Sequence, residues 1–293
     1  MIGRRLLLAA PAALSLPARA QVTTLDLPPA MPPLRPDDWV APGNRRDMLV
    51  RWGDRVTFDA APWEPRNPTA DGVAGQFGWD ARLAGILAPP IGADGVARLV
   101  VAVAHPEVDP LLAFPGGRDR PAVAAAMSGA SLLNLERQGG VGQGGRWVLV
   151  DGGFQSRGLG ASTLCRMGGP VALGGGVVGL LGPASGTATP WGTLLLAEQD
   201  PASWLARLQD LDPRFRDGRH FGWVAEVDAL DPQSVPVKRG ALGRIGAQAV
   251  AATVTDDGRA VVFLADGRPM GFLYRFVSGA KATEGEALEA GQL

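Results

Sequence analysis

An acid and an amide stand side by side at the end of an apolar run, in residues 187–200 (TATPWGTLLLAEQD). The run that precedes Glu198 and Gln199 is bounded by a Pro-Trp-Gly turn and predicts a buried strand. A carboxylate at the exit of such a strand could bind a hard cation, whereas an amide offers an oxygen without charge. The chemistry of this place therefore depends on how many charged groups accompany Glu198.

The overall composition excludes one large class of partners. The 293-residue chain has a formal net charge of −1, so there is no electrostatic case for nucleic acid. Lys238 and Lys281 are the only lysines, and arginine, which supplies the remaining positive charge, binds phosphate through its planar fork. A GC-rich genome produces the same arginine bias. Cys165 is the single cysteine, so no intramolecular disulfide can form and a buried thiol is expected.

The first 20 residues have the pattern of an export signal. A basic start with Arg4 and Arg5 precedes a short apolar run and a small-x-small end at residues 18–20. Paired arginines favour the twin-arginine route, with an ordinary secretory signal as the alternative. The run is too interrupted to span a membrane. We expect a periplasmic or extracellular protein with no transmembrane segment, a Pro-rich arm at residues 21–47 and a folded domain at residues 48–293.

Short strand signals recur along this domain. Apolar runs between glycines and prolines predict strands within residues 47–59, 97–109, 145–153, 191–199 and 220–229. Residues 248–278 hold three further runs, separated by Asp257-Gly258 and Asp266-Gly267. Asp-Gly between apolar runs is a strong hairpin signal, so this passage predicts a β-meander of at least three strands.

Helix is predicted in two places only. Residues 120–137 are rich in alanine, with Gly129 as a weak point. Residues 200–211 have Asp200 as the expected cap and Pro201 at the first helical position, and they place four apolar residues on one face: Trp204, Leu205, Leu208 and Leu211. The fold class is therefore all-β. Short meanders suggest a β-propeller or a β-sandwich, and a propeller of this length would have about five to six blades.

Five motifs resemble a known family: RWGDRV (51–56), FGWDARLAGIL (77–87), TPWGTLLLAE (189–198), FGWVAEVDALDPQSVPVKRGALGR (221–244) and LYRFVS (273–278). Together they are similar to the PhoX-type alkaline phosphatases, which are exported by the twin-arginine route. The resemblance implies a β-propeller whose hub holds a calcium–iron cluster. It also implies hydrolysis of phosphomonoesters, with metals that bind phosphate oxygens and offset the developing negative charge.

Several positions depart from the family pattern. The Asn-Cys that precedes TPWGT in the family falls on Pro183 and Ala184, so the thiolate expected to bind iron is missing. The family's paired glutamates after the strand are Glu198 and Gln199 in this chain. This is therefore a short family member in which charged ligands have been replaced.

Two further departures point the same way. The His-Glu that follows Leu-Gly-Arg in the family falls on Ala247 and Gln248. In the early strand the family's Asn-His-Glu becomes Ala-His105-Pro-Glu107, which moves the glutamate by one place. On a strand that shift would turn its side chain to the other face.

The resemblance implies roles for four residues that are present. Glu198, His105 and Asp266 would be metal ligands, and Arg244 would be the catalytic residue that clamps phosphate. Ligands are replaced at Ala184, Gln199, Ala247 and Gln248. Losing these ligands, most of which are anionic, should cost most of the cluster's affinity, because ligand charge sets binding strength. The implied cofactors are calcium and iron, with calcium alone or no metal as the alternatives.

Three functions stay open on the sequence. The chain could be an exported phosphatase that acts on a small phosphate ester. It could be a non-catalytic propeller that binds a ligand or partner. It could also hold a single Ca²⁺ between Glu198 and Asp266 in a lectin-like or lactonase-like propeller. Family members continue beyond residue 293, so we expect a missing closing blade and self-association through an uncapped strand edge.

Overall fold

The computed structural model describes residues 39–139, 145–173 and 176–293. The signal expected at residues 1–20 and most of the Pro-rich arm lie outside the described residues. Residues 48–293 form one compact unit, and the preceding residues form a separate unit. Within the described part of the second unit, fifteen strands and four short α-helices follow one another.

The strands form three sheets, called here sheets 1, 2 and 3. Sheet 1 contains β1 (Arg82–Leu87), β2 (Arg98–His105), β3 (Gly129–Gln138), β4 (Arg146–Leu149) and β5 (Arg157–Gly160). Sheet 2 contains β6 (Leu164–Gly168), β7 (Val177–Val178), β8 (Pro183–Ala188), β9 (Leu194–Glu198), β10 (Val224–Val227) and β11 (Val237–Arg239). Sheet 3 contains β12 (Ala247–Val254), β13 (Arg259–Asp266), β14 (Leu273–Lys281) and β15 (Gly291–Gln292).

The helices are short and lie between the strands. They are α1 (Ala70–Val73), α2 (Pro110–Ala113), α3 (Pro121–Met127) and α4 (Ala202–Leu208). Among the described residues no helix has the length and hydropathy needed to cross a bilayer. The protein is therefore mostly β-sheet, as predicted. The described residues form three sheets, so the count of five to six blades is not confirmed.

Strand β9 is buried on both faces, which explains its unbroken apolar run. Leu194 and Leu196 pack in a cluster with residues of sheet 1, whereas Leu195 and Ala197 pack with residues of sheet 3. Successive side chains of a strand point to opposite faces, so each face fills one of these clusters. The strand ends between the two neighbouring sheets, and this placement positions the residues that follow it.

The predicted meander at residues 248–278 is confirmed. Strands β12, β13 and β14 pair antiparallel in order, with Val262 opposite Ala252 on one side and Phe276 on the other. Gly258 has a φ of +86° in the first turn, a conformation that glycine adopts without steric cost. The local turn signal therefore decided the pairing.

The helix predicted over residues 120–137 is wrong beyond Met127. A strand, β3, begins at Gly129 and pairs with both β2 and β5. Gly129 has a φ of +129°, and a Cβ atom there would lie 2.0 Å from the Leu159 carbonyl oxygen. Pairing on both sides overrides the helical preference of the surrounding residues, and the glycine marks the change.

The strand predicted within residues 47–59 is also wrong. Only an isolated bridge between Arg55 and Gln76 forms there, and the rest consists of turns. A helix is confirmed here as α4, but its N-cap residue is Pro201 and not Asp200 as predicted. Asp200 Oδ1 still accepts a hydrogen bond from Ala202 N at 3.0 Å. Trp204 and Leu208 are buried as the spacing predicted, whereas Leu211 lies beyond the end of the helix and is exposed, so that part of the prediction is wrong. The cysteine prediction is confirmed too, since Cys165 is buried and free.

Candidate functional site

Glu198 is the last residue of β9, and its side chain is fully buried. Oε1 accepts a hydrogen bond from Leu181 N at 2.8 Å, and Oε2 accepts from Gly222 N and Trp223 N, both at 3.0 Å. Lys238 Nζ lies 2.9 Å from each carboxylate oxygen. An ionised carboxylate has about four lone-pair positions, so these five contacts use all of them.

Lys238, the partner of Glu198, is also buried and makes two further contacts. Its side chain is also fully buried, and Nζ donates a further hydrogen bond to the His220 carbonyl oxygen at 2.6 Å. The ammonium lies 5.0 Å from the centre of the Phe221 ring, which adds a cation–π contact. The lysine therefore neutralises Glu198, and a metal ion at Glu198 would have to displace it.

The side chain of Gln199 takes part in a second, separate set of contacts. Its Nε2 donates to Glu107 Oε1, and its Oε1 accepts from Gln248 Nε2 at 3.1 Å. We call Glu107, Gln199 and Gln248 the acid–amide chain. Glu107 follows β2, Gln199 follows β9 and Gln248 lies near the start of β12. The acid–amide chain therefore joins strand ends of all three sheets. One carboxylate with two amides gives it a single negative charge.

The position of Glu107 differs from the sequence prediction. Strand β2 ends at His105, and Pro106 and Glu107 lie beyond it. The alternation of faces along a strand therefore does not apply to Glu107, and the prediction that it faces away is wrong. The side chain reaches Gln199, on the same end of the sheets where the family's acid was expected.

His105 is buried, and both of its ring nitrogens are used. Nδ1 lies 2.6 Å from the Asp80 carbonyl oxygen, and Nε2 lies 2.9 Å from Ser131 Oγ. Because a carbonyl oxygen only accepts, Nδ1 carries the proton and Nε2 accepts from the serine hydroxyl. Burial lowers the pKa of His105 to about 4, so the ring is neutral at physiological pH. The metal-ligand role of His105 stays a prediction, and in this conformation no nitrogen is open.

The buried imidazole makes stability depend on pH. Between pH 6.5 and 4 the unfolded chain binds a proton that folded His105 does not bind, so stability is complete above 6.5 and falls as pH is lowered. We expect a slope of about 1.4 kcal/mol per pH unit in this window from His105 alone. Urea unfolding at several pH values measures it. The His105→Gln variant should lose this slope, and an unchanged slope would contradict the assignment.

Asp266 ends β13 and is engaged by a neighbour on its own hairpin. Arg268 Nη2 lies 2.6 Å from Asp266 Oδ2, and this guanidinium holds the pKa of Asp266 below its ordinary value. The hairpin itself does lie beside the acid–amide chain, since a Cβ at Gly267 would overlap the Gln248 side chain. Glu198 pairs with Lys238, whereas Asp266 pairs with Arg268. The carboxylates of Glu198 and Asp266 therefore have no partner in common among the described residues.

Arg244 lies on the surface at the same end of the sheets. Its Nε donates to the Phe221 carbonyl oxygen at 2.7 Å, and its Nη2 donates to the Gly218 carbonyl oxygen at 2.8 Å. Gly222 lies between Arg244 and Pro201. Pro201 follows Gln199 by two residues in the sequence. In the part of the chain that the structure describes, Nη1 makes no hydrogen bond. The guanidinium is thus anchored on one side and open on the other.

Two of the replaced positions are small and buried. Ala184 lies in β8 and Ala247 begins β12, and each is about 2% exposed. Neither side chain carries a donor atom for a metal. Cys165 does not substitute for the missing thiolate, because burial raises its pKa to about 11 and its Sγ lies 3.6 Å from the Thr163 carbonyl oxygen.

The residue that sequence reasoning missed is Lys238. The sequence did contain a signal for it. The chain has only two lysines, and Lys238 directly follows the apolar residues Val-Pro-Val at 235–237. A lysine at a buried strand position requires an anionic partner. The partner is forty residues away in sequence, so only the fold identifies it as Glu198.

The strand ends of three sheets thus present a carboxylate, two amides and an open guanidinium on one end of a β-rich protein. Of these groups, the guanidinium is the one whose charge and geometry suit an anionic oxygen. The sequence matches the family described as Alkaline phosphatase PhoX over residues 28–293, and the chain belongs to this family. No curated protein matches the sequence.

A solved structure agrees with this assignment. The chain is similar to Pseudomonas fluorescens PhoX in complex with vanadate, a transition state analogue, with a TM-score of 0.72 and 27% sequence identity. The match covers 84% of this chain and 50% of the Pseudomonas chain. This chain therefore spans about half the length of the solved relative.

The donor set decides which metals the chain's own residues could hold. Within residues 39–139, 145–173 and 176–293, no three His, Cys, Asp or Glu side chains form a metal-binding group. An iron–calcium cluster does not fit, because the thiolate is absent, Glu198 is neutralised by Lys238 and two acids are amides. The acid–amide chain has one carboxylate and two amide oxygens, which are ligand types that Ca²⁺ accepts.

Proposed function

We propose that the protein hydrolyses phosphomonoesters at the strand ends marked by the acid–amide chain and Arg244. Membership of the PhoX alkaline phosphatase family is the observation that carries this proposal. The likeness to a relative solved with a transition state analogue supports it. The substrate is a small phosphate ester, and the proposal includes export to the periplasm or cell exterior.

Arg244 is the proposed phosphate-binding group. Two carbonyl oxygens fix its Nε and Nη2, so the direction of the guanidinium is set before substrate arrives. The open Nη1 can donate to a phosphate oxygen and stabilise the charge that grows during hydrolysis. A pre-positioned cation of this kind is more effective than one that must reorganise.

The acid–amide chain is the proposed cation site. Glu107 is exposed, and its second carboxylate oxygen has no partner in the described part of the chain. Gln199 and Gln248 contribute amide oxygens once their mutual hydrogen bond is exchanged for a ligand bond. A bound Ca²⁺ would polarise the phosphorus and offset negative charge. With calcium alone, the chain departs from the calcium–iron centre that the family implies.

Replacing Arg244 tests the proposal. The variant Arg244→Gln removes the charge and the fork, so we expect kcat/KM for p-nitrophenyl phosphate to fall roughly 100-fold. Arg244→Lys should recover only part of it, because an ammonium cannot reproduce both carbonyl contacts and the open donor.

The matched control for this experiment is Arg216→Gln. Arg216 is also exposed, and its removal changes the net charge equally. Its kcat/KM should match that of the unaltered chain. Equal losses in both arginine variants would contradict a specific role for Arg244, and so would a loss in Arg244→Gln that follows the free energy of unfolding alone.

A second function is favoured by one observation. Because Lys238 saturates Glu198 and amides replace two acids, the site resembles a pocket that is stable without metal. A non-catalytic propeller that binds a ligand or partner would have this property. Absence of turnover in the intact chain at any calcium or iron concentration would favour it over the phosphatase.

Two architectural expectations accompany the proposal. The three sheets would be part of a β-propeller of about five to six blades, as the likeness to PhoX suggests. Exposed strand edges would also allow self-association. Sedimentation of the purified chain over a range of concentrations tests the second expectation, and a constant monomer mass would reject it.

A further inference from the structure

A cavity of about 430 Å³ is lined by neither Arg244 nor a member of the acid–amide chain. It is bordered by α1, α3, the first residues of β3, strand β5 and the segment that follows α4. Its walls are largely small apolar side chains, among them Ala70, Ala74, Ala125, Ala126, Ala130 and Ala161. Polar side chains, among them Gln76, Ser128 and Ser131, share the wall with these alanines. A concave space of this size that combines apolar walls with converging polar groups is a usual form of a small-molecule site.

Two polar groups on the cavity wall are incompletely paired. Gln76 is 7% exposed, and its Nε2 donates to the Ala61 carbonyl oxygen at 2.9 Å, which fixes the amide orientation. Its Oε1 is buried with no hydrogen-bond partner among the described residues. Ser128 Oγ accepts from Gly182 N at 2.9 Å, and its hydroxyl hydrogen has no acceptor among those residues.

These two groups have opposite hydrogen-bonding needs. Gln76 offers an acceptor, and Ser128 offers a donor. A hydroxyl group is a small neutral function that both donates and accepts, so it can pair with either of them. A carboxylate would leave Gln76 unpaired, and an ammonium would leave Ser128 unpaired.

The charges around the cavity favour an uncharged ligand. Arg214 is paired with Asp212 at 2.6 Å and donates to Ser162 Oγ at 3.1 Å, so its charge is already balanced. Asp71 is exposed to solvent. His105 also lines the space, and both of its ring nitrogens are already used by Asp80 and Ser131. An ion inside would lose its hydration without gaining a counter-charge.

We propose that this cavity binds a compact, neutral alcohol whose hydroxyl group contacts Gln76 and Ser128. Neither Arg244 nor a member of the acid–amide chain lines the cavity, and binding there does not require phosphatase activity. The proposal can therefore be tested by direct binding, whatever the outcome of the turnover measurements.

Three probes of one shape test the ligand class. Benzyl alcohol, benzoate and benzylamine differ only in the polar group, and ligand-observed NMR on the full chain gives their affinities. We expect saturable binding of benzyl alcohol and affinities at least about tenfold weaker for both ions. Equal binding of benzoate or benzylamine, or no saturable binding of the alcohol, would overturn the proposal.

Variants locate the site on the protein. Ala126→Leu adds volume inside the cavity on a helix that tolerates leucine, and we expect benzyl alcohol affinity to fall at least about tenfold. Ser128→Ala removes the donor and should weaken binding several-fold while the cavity stays open. Ala206→Leu, on the exposed face of α4, is the matched control and should bind normally. Unchanged affinity in both cavity variants would contradict this location.

Discussion

Replacing Lys238 by methionine should destabilise the protein by about 3–5 kcal/mol, because it leaves the Glu198 carboxylate buried without its cation. The carboxylate is fully buried and cannot turn to water. Three backbone N–H groups remain as donors, which keeps part of its solvation. Urea unfolding at neutral pH measures the loss as a lower midpoint at an unchanged slope.

The other lysine provides the matched control for this experiment. Lys281 is exposed, so Lys281→Met should change stability by no more than about 0.5 kcal/mol. The double variant Lys238→Met/Glu198→Gln should recover part of the loss, because the uncompensated charge is removed. A loss below about 1 kcal/mol in Lys238→Met would contradict a buried ion pair and reopen Glu198 as a ligand.

Restoring two acids should make the protein calcium-dependent. In Gln199→Glu/Gln248→Glu the acid–amide chain would consist of three carboxylates in contact, which repel one another without a cation. We expect a stability loss of about 2 kcal/mol in EDTA. Calcium at 100 times its dissociation constant should then add about 2.7 kcal/mol. Thermal unfolding across a calcium titration measures both effects.

Control variants separate ligand charge from net charge. Gln209→Glu/Gln233→Glu adds the same charge at exposed positions and should show no calcium dependence beyond that of the unaltered chain. Adding Ala184→Cys to the double variant should raise its preference for iron, because a thiolate is a softer ligand. Calcium-independent stability in Gln199→Glu/Gln248→Glu would show that these side chains do not form the cation site.

Local signals predicted some of the fold, and long-range pairing decided the rest. The meander at residues 248–278 could be predicted because Asp-Gly turns specify hairpins within a few residues. Residues 129–138 could not, since their helical composition is outweighed by pairing with β2 and β5, which is invisible in the local sequence. The sequence indicated that Gly129 weakens the predicted helix. It did not indicate that a strand begins at this residue.

The site shows the same division. Glu198, Gln199 and Gln248 were identified by motif position, and Gln199 and Gln248 do contact each other. Glu107 was assigned to the wrong face because β2 already ends at His105, so the alternation of faces does not extend to Glu107. Lys238 was missed because an ion pair between residues far apart in sequence depends on how β9 and β11 are brought together.

The most direct test of the phosphatase assignment is the turnover of p-nitrophenyl phosphate by the intact chain after metal removal, as calcium or iron is added back. We predict turnover that returns with calcium at concentrations set by weak binding, without a requirement for iron. Turnover that requires stoichiometric iron would contradict the cation site proposed here. No turnover under either condition would contradict the phosphatase assignment itself.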